Sequence, residues 1–151
     1  VMLARKLGLV GAADARTADE RAGDDALADE LLSVLTAAET DMTIFFRGLA
    51  AVPAARDGQT DDELLAPVRD AYYDPAALTG EVRAQVTGWL RAYGERVCAR
   101  GLSDAERGAR IRATNPKYVL RNYLAQIAID DAERGEPGKV RELLDVLRHP
   151  Y

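Results

Sequence analysis

Apolar residues recur at three- and four-residue spacing along much of this chain, the pattern of helices that bury one face. The longest stripe, Leu78, Val82, Val86, Leu90, Tyr93 and Val97 with Trp89 beside it, predicts a long helix. Leu27, Leu31, Val34, Leu35 and Ala38 predict another, for which Asp24 or Asp25 is the expected cap. Met42, Phe45, Phe46 and Leu49 predict a short helix after a break at Thr40-Asp41. Its aromatic pair reads as core and not as a ligand platform. Leu120, Tyr123, Leu124, Ile127 and Ala128 form a fourth stripe, widened by Val119 and Ile129. With Asn115 as cap and Pro116 at the first helical position, it predicts a central helix at about residues 116–134, wrapped on more than one side. Val140, Leu143, Leu144 and Leu147 predict a last helix, stopped by Pro150.

The polar positions between these stripes supply the boundaries. Thr60-Asp61-Asp62-Glu63 and Ser103-Asp104-Ala105-Glu106 fit capping boxes, in which the hydroxyl and the Glu carboxylate each satisfy an unpaired backbone N–H. Pro67 limits the helix that the first box opens, and Tyr72-Tyr73-Asp74-Pro75 marks a corner. Val1 to Leu9 reads as the end of a helix, closed near Gly8 or Gly11. Ala12 to Gly23 has no apolar period and reads as a flexible connection, and Ala50 to Gln59 as a loop. The expected architecture is a single all-α domain over residues 1–151, an irregular orthogonal assembly of six to eight helices around the helix at about 116–134.

Composition supports helices: Ala, Leu, Arg, Glu and Asp together far outnumber Val, Ile, Phe and Thr. The formal charge of −5 argues against a nucleic-acid partner, and no apolar run is long enough to span a membrane. Cys98 is the only cysteine, which excludes an intrachain disulfide and favours a reducing, cytoplasmic setting. It continues a helical pattern beside Val97, so a buried or half-buried thiol is expected. One Cys and one His give no zinc ligand set, and His149 is explained by its place near a helix C-terminus. The pairs Asp24-Asp25 and Asp61-Asp62 read as helix-start carboxylates and Asp130-Asp131 as solvated, so no metal ligands are assigned.

Asn115-Pro116-Lys117-Tyr118-Val119-Leu120-Arg121-Asn122-Tyr123-Leu124-Ala125-Gln126, followed by a helix, an Arg-Gly stop and a Leu-Leu helix ending in Pro150-Tyr151, resembles the C-terminal part of the selenoprotein O family. The segments Met2 to Leu9 and Asp41 to Leu49 are similar to that family in the same order. The resemblance implies a C-terminal helical fragment of a kinase-like protein adenylyltransferase, a pseudokinase-type enzyme whose core lies before Val1. It further implies that the parent protein binds ATP and magnesium and passes AMP to Ser, Thr or Tyr hydroxyls of protein substrates.

This chain carries none of the parts such a transfer needs: no Gly-rich phosphate loop, no P-loop, and only Lys6, Lys117 and Lys139 as lysines. No catalytic, cofactor-binding or metal residue is therefore expected on it, and its contribution to the parent would be scaffolding and docking. The alternative is a non-enzymatic helical interaction module. One charge feature bears on docking. From Arg100 to Arg121, six basic residues stand against Asp104 and Glu106, a balance of +4 that leaves −9 for the rest. Arg110, Arg112, Lys117 and Arg121, with Asn122 and Gln126 following, are the candidate interdomain docking residues toward the kinase-like core.

Overall fold

The computed structural model describes residues 2–11, 15–54 and 58–151. Among these it contains eight α-helices and no strand, so the fold is all-α as the composition and periodicity indicate. The helices are α1 (Met2–Lys6), α2 (Ala18–Ala37), α3 (Met42–Gly48), α4 (Asp61–Leu65), α5 (Gly80–Ala99), α6 (Asp104–Thr114), α7 (Asn122–Glu133) and α8 (Gly138–Arg148). Three 3-10 turns, Leu49–Ala51, Ala66–Ala71 and Pro75–Ala77, join some of them. The elements group into two compact units, Val1–Asn115 and Pro116–Tyr151.

The core of the first unit is built on α5. Val86, Trp89, Leu90, Tyr93 and Val97 are all buried there, as the stripe predicts. Trp89 stacks on Tyr93 at 5.5 Å between ring centres and lies 6.0 Å from Phe45, whose ring meets Phe46 edge-on. The polar edges of these rings are used: Trp89 Nε1 donates to Leu27 O at 2.9 Å and the Tyr93 hydroxyl to Leu7 O at 2.8 Å. Burial pushes the Tyr93 phenol up to about 12. The Phe45-Phe46 pair is core, as expected.

Both capping boxes form, at Thr60 with Glu63 and at Ser103 with Glu106. A third, Thr17 with Glu20, opens α2 seven residues earlier than Asp24. The expectation that Asp24 or Asp25 caps this helix is thereby corrected. Asp24 is fully buried inside α2, where Arg16 Nη1 approaches it at 2.9 Å and Arg96 Nε at 2.8 Å. A buried carboxylate is tolerable only with such partners. Part of the stretch read as a flexible connection is thus helix and ion pair, while residues 12–14 lie outside the described residues.

Two glycines set close approaches. Gly8 ends α1 with φ at +72°, and a Cβ there would stand 2.7 Å from Ile111 Cγ1. Gly48 lets α3 pass Pro67, whose carbonyl oxygen would be 2.4 Å from an added Cβ. Beside this crossing, Asp41 N donates to Ala71 O at 2.7 Å and Tyr73 N to Glu39 O at 3.1 Å, which fixes the predicted corner. Tyr72 is buried at that corner with no hydrogen-bond partner for its hydroxyl among the described residues, and burial pushes it up to about 12. Tyr72→Phe removes an unsatisfied polar atom, so it is expected to raise stability by up to about 1 kcal/mol. Urea unfolding tests this, and a clear loss of stability would mean that the hydroxyl has a partner.

The second unit differs from the expected central helix in start and in burial. Asn115 does not cap it. Its side chain is buried at 1 % exposure and donates to Lys6 O at 2.8 Å and Ile111 O at 3.0 Å, closing the C-terminus of α6. Arg47 Nη1 donates to Asn115 O at 2.7 Å, so three helices of the first unit converge on this residue. A side chain so engaged is unavailable to the next helix. The amides of Lys117 and Tyr118 then go to Pro150 O, and α7 begins only at Asn122. A four-residue turn with Gly135 at φ +84° connects α7 to α8 in a helical hairpin. Ala128 alone is buried in α7 and no residue is buried in α8, so the helix at about 116–134 is not the core.

Candidate docking surface

The basic stretch is carried first by α6, which the Ser103–Glu106 box starts. The Ser103 hydroxyl and amide hydrogen bonds hold the Glu106 carboxyl below its ordinary range. Helical geometry then sends Arg107 and Ile111 to one side and Arg112 to the other. Ile111 and Arg107 are both at 0 % exposure. The Arg107 guanidinium lies 5.6 Å from the Tyr93 ring centre and donates to Leu49 O, Val52 O, the Tyr93 hydroxyl at 3.1 Å and Asp104 Oδ1 at 2.8 Å. Burial works against its charge, but the Tyr93 hydroxyl and the Asp104 carboxylate outweigh burial and hold it above its ordinary value.

The six basic residues from Arg100 to Arg121 therefore do not form one surface. Arg107 points into the core, and Arg100, its own side chain 9 % exposed, pairs with Glu20. Of the expected docking residues, Arg110 is half-buried and Arg112 exposed, its guanidinium folded back to within 3.2 Å of where a Gly108 Cβ would stand. Both belong to the first unit. Lys117, Arg121, Asn122 and Gln126 belong to the second. Lys117 is exposed and sits 5.1 Å from the Tyr118 ring centre, and Arg121 is the half-buried N-cap residue of α7. Asn122 is exposed at the first position of α7. Gln126 is also exposed and donates to Asp130 Oδ1 at 2.7 Å, an intrahelical bond.

A second feature went unseen in the sequence. Tyr118, Leu120, Tyr123, Ile127 and Ile129 are exposed before and along α7, and Val140, Leu144 and Val146 along α8. Tyr123 stands 64 % exposed, Ile127 44 % and Leu144 48 %. Isolated exposed apolar residues are ordinary, whereas these fall together within one two-helix unit. The width of the stripe is the available signal, since it calls for a cover on more than one side of α7 without saying what supplies it.

Two of the three lysines are engaged within the chain. Lys6 contacts Asn115 Oδ1 at 3.5 Å and lies over the Phe46 ring, and Lys139 pairs with Glu142. Among the described residues no group of three or more His, Cys, Asp or Glu side chains is placed to hold a metal ion. Cys98 is exposed, not buried or half-buried as expected, because one step past Val97 turns the side chain out of the α5 stripe. No described helix is long and apolar enough to cross a membrane.

The family model for Protein adenylyltransferase SelO matches residues 1–148. The chain belongs to that family. It is 46 % identical over 150 residues to the Protein nucleotidyltransferase YdiU of Azoarcus sp. (strain BH72), a match covering 99 % of this chain and 26 % of that protein. It is 44 % identical over 157 residues to the protein of the same description from Rhodopirellula baltica, covering 99 % of the chain and 28 % of the relative. The corresponding protein of Aromatoleum aromaticum is 43 % identical over 150 residues, again 26 % of its length. The chain thus spans about a quarter of the length of these SelO-family relatives.

Proposed function

We propose that these residues are the helical, non-catalytic part of a protein adenylyltransferase and that they serve it as scaffold and docking surface. In the parent protein a Ser, Thr or Tyr hydroxyl of a substrate protein attacks the α-phosphorus of ATP, AMP is transferred, and pyrophosphate leaves. ATP and magnesium bind a kinase-like core outside this chain, in the three-quarters of the relatives' length that the match does not cover. The lone Cys98 suits a cytoplasmic protein.

The observation that carries this reading is the exposed apolar surface of the α7–α8 hairpin. Two short helices with one buried residue between them lack the apolar burial that ordinarily stabilises helices, and a surface of the parent that covers this face would supply it. Arg121 and Asn122 at the start of α7 add polar contacts at the edge of the same unit, with Lys117 beside them, and Arg110, Arg112 and Gln126 remain candidates for the same role.

Nucleotide assays divide the parent from this part of it. The full-length protein is expected to bind magnesium-ATP and to transfer labelled AMP to protein hydroxyls. The 151-residue chain alone is expected to show no saturable heat with magnesium-ATP. A stoichiometric micromolar site on the chain would overturn this division of labour, and a full-length protein without nucleotidyl transfer would favour a purely interactive helical module.

A further inference from the structure

Between α2 and α5 runs a trough of ≈ 290 Å³. The buried side chains of Val34 and Trp89 form its floor, and Gln85 Nε2 donates to Ser33 Oγ at 2.7 Å across it. Besides Gln85 and Trp89, α5 lines it with two small residues, Ala84 and Gly88. Gly88 sits in the middle of a 20-residue helix, where glycine is the poorest helix former after proline. Nothing among the described residues requires it. A Cβ built at Gly88 meets no atom within 4 Å, and the residue has no left-handed φ. A glycine with open space above it leaves room for a close approach from outside the chain.

Charge states what approaches. From Thr17 to Glu39 the chain carries seven acidic residues against Arg21 alone, a balance of −6 in a chain whose total is −5. Glu20 and Asp24 are matched by arginines, but Asp25, Asp29 and Glu30 are exposed, and Glu30 lines the trough. Glu81 and Glu95, one heptad before and after Gly88, are exposed along α5. An apolar floor edged by Glu30, between two helices whose other exposed carboxylates make the surroundings acidic, fits a basic amphipathic helix, whose small-residue contact with Gly88 brings the two backbones together.

Size selects the source of that helix. The seven residues that line the trough are far fewer than the roughly 20–30 a side of a free partner's stable interface. A segment of the same polypeptide needs much less, since tethering gives it an effective concentration on the order of millimolar. We propose that the trough between α2 and α5 seats a basic helix from the part of the parent protein outside these 151 residues. The proposal rests on the reading that the chain is part of a longer adenylyltransferase-family protein, and it is independent of docking through α7 and α8.

Two measurements on the full-length parent test it. Gly88→Leu plugs the trough, while within this chain it meets open space and improves helix propensity. A seated helix predicts a lower melting midpoint for the variant, whereas an empty trough predicts an unchanged or higher one. Zero-length carbodiimide cross-linking then joins Asp25, Asp29 or Glu30 to whatever lysines lie against them, and mass spectrometry identifies the partner peptide. Cross-links to lysines outside these 151 residues and within the same molecule, weakened several-fold by Gly88→Leu, are the expected result. An unchanged or raised midpoint, or cross-links confined to a second copy or to a substrate protein, overturns the proposal, as does the lack of any intramolecular cross-link. Failure of the broader reading appears instead in the nucleotide assays, which neither measurement uses.

Discussion

Replacing Arg107 with methionine is expected to cost the protein about 3 kcal/mol of stability. Methionine keeps much of the aliphatic length, so little of the loss comes from a cavity. The loss comes from the carbonyls of Leu49 and Val52, which both accept from the guanidinium and would be left buried without donors. Each such orphan costs about 1–3 kcal/mol. Release of a buried cation offsets part of this. The two other partners suffer less: Tyr93 keeps its bond to Leu7 O, and the Asp104 side chain is 55 % exposed and returns to water. Trp89, the only tryptophan, stacks on Tyr93 and reports the unfolding of this region by fluorescence in urea. Arg107→Lys, which keeps the charge but not the two-pronged fork, should fall between parent and Arg107→Met. An Arg107→Met variant within about 1 kcal/mol of the parent would show that the two carbonyls find other donors.

Arg107 also shows where the sequence stops being legible. The capping boxes at Thr60 and Ser103 were readable because a box is a local i, i+3 device that tertiary structure need not complete. The α5 stripe was readable because one buried face of a long helix repeats many times. Charge lacks that redundancy. A count of basic residues from Arg100 to Arg121 does not separate an inward arginine from an outward one, and Arg100 and Arg107 are both spent inside the first unit. Asp24 failed for a related reason: its partners Arg16 and Arg96 are 8 and 72 residues away in sequence, so only the fold reveals the pairing.

The helix at residues 116–134 was misplaced by a different mechanism. Asn-Pro before an apolar run is a sound start signal in isolation. Asn115 instead closes the preceding helix, through bonds to Lys6 O and Ile111 O, one of which spans 109 residues. The stripe that followed was real, but an apolar stripe states only that something covers it. Whether the cover is this chain or another surface is not encoded in its period.

That distinction is the basis of the last prediction. Ile127→Lys together with Leu144→Glu should leave the isolated chain nearly as stable as before, because both side chains are already close to half exposed. Each new charge also has a local partner four residues on, Asp131 for Lys at 127 and Arg148 for Glu at 144, which spares the helices themselves. On the proposed docking, the same pair of changes acts on a buried surface in the full-length protein. Fully burying an Ile or Leu contributes about 1.5–3 kcal/mol, and a charge placed in the interface adds a desolvation cost on top. A docking loss on the order of 3–6 kcal/mol follows, enough to detach the hairpin and to lower nucleotidyl transfer by at least about tenfold. Limited proteolysis should then cut the region near residues 116–121 in the variant before it cuts the parent. Equal proteolysis and equal transfer in the two full-length proteins would show that the exposed face of α7 and α8 is not a docking surface. A large loss in the isolated chain would assign Ile127 and Leu144 to internal packing.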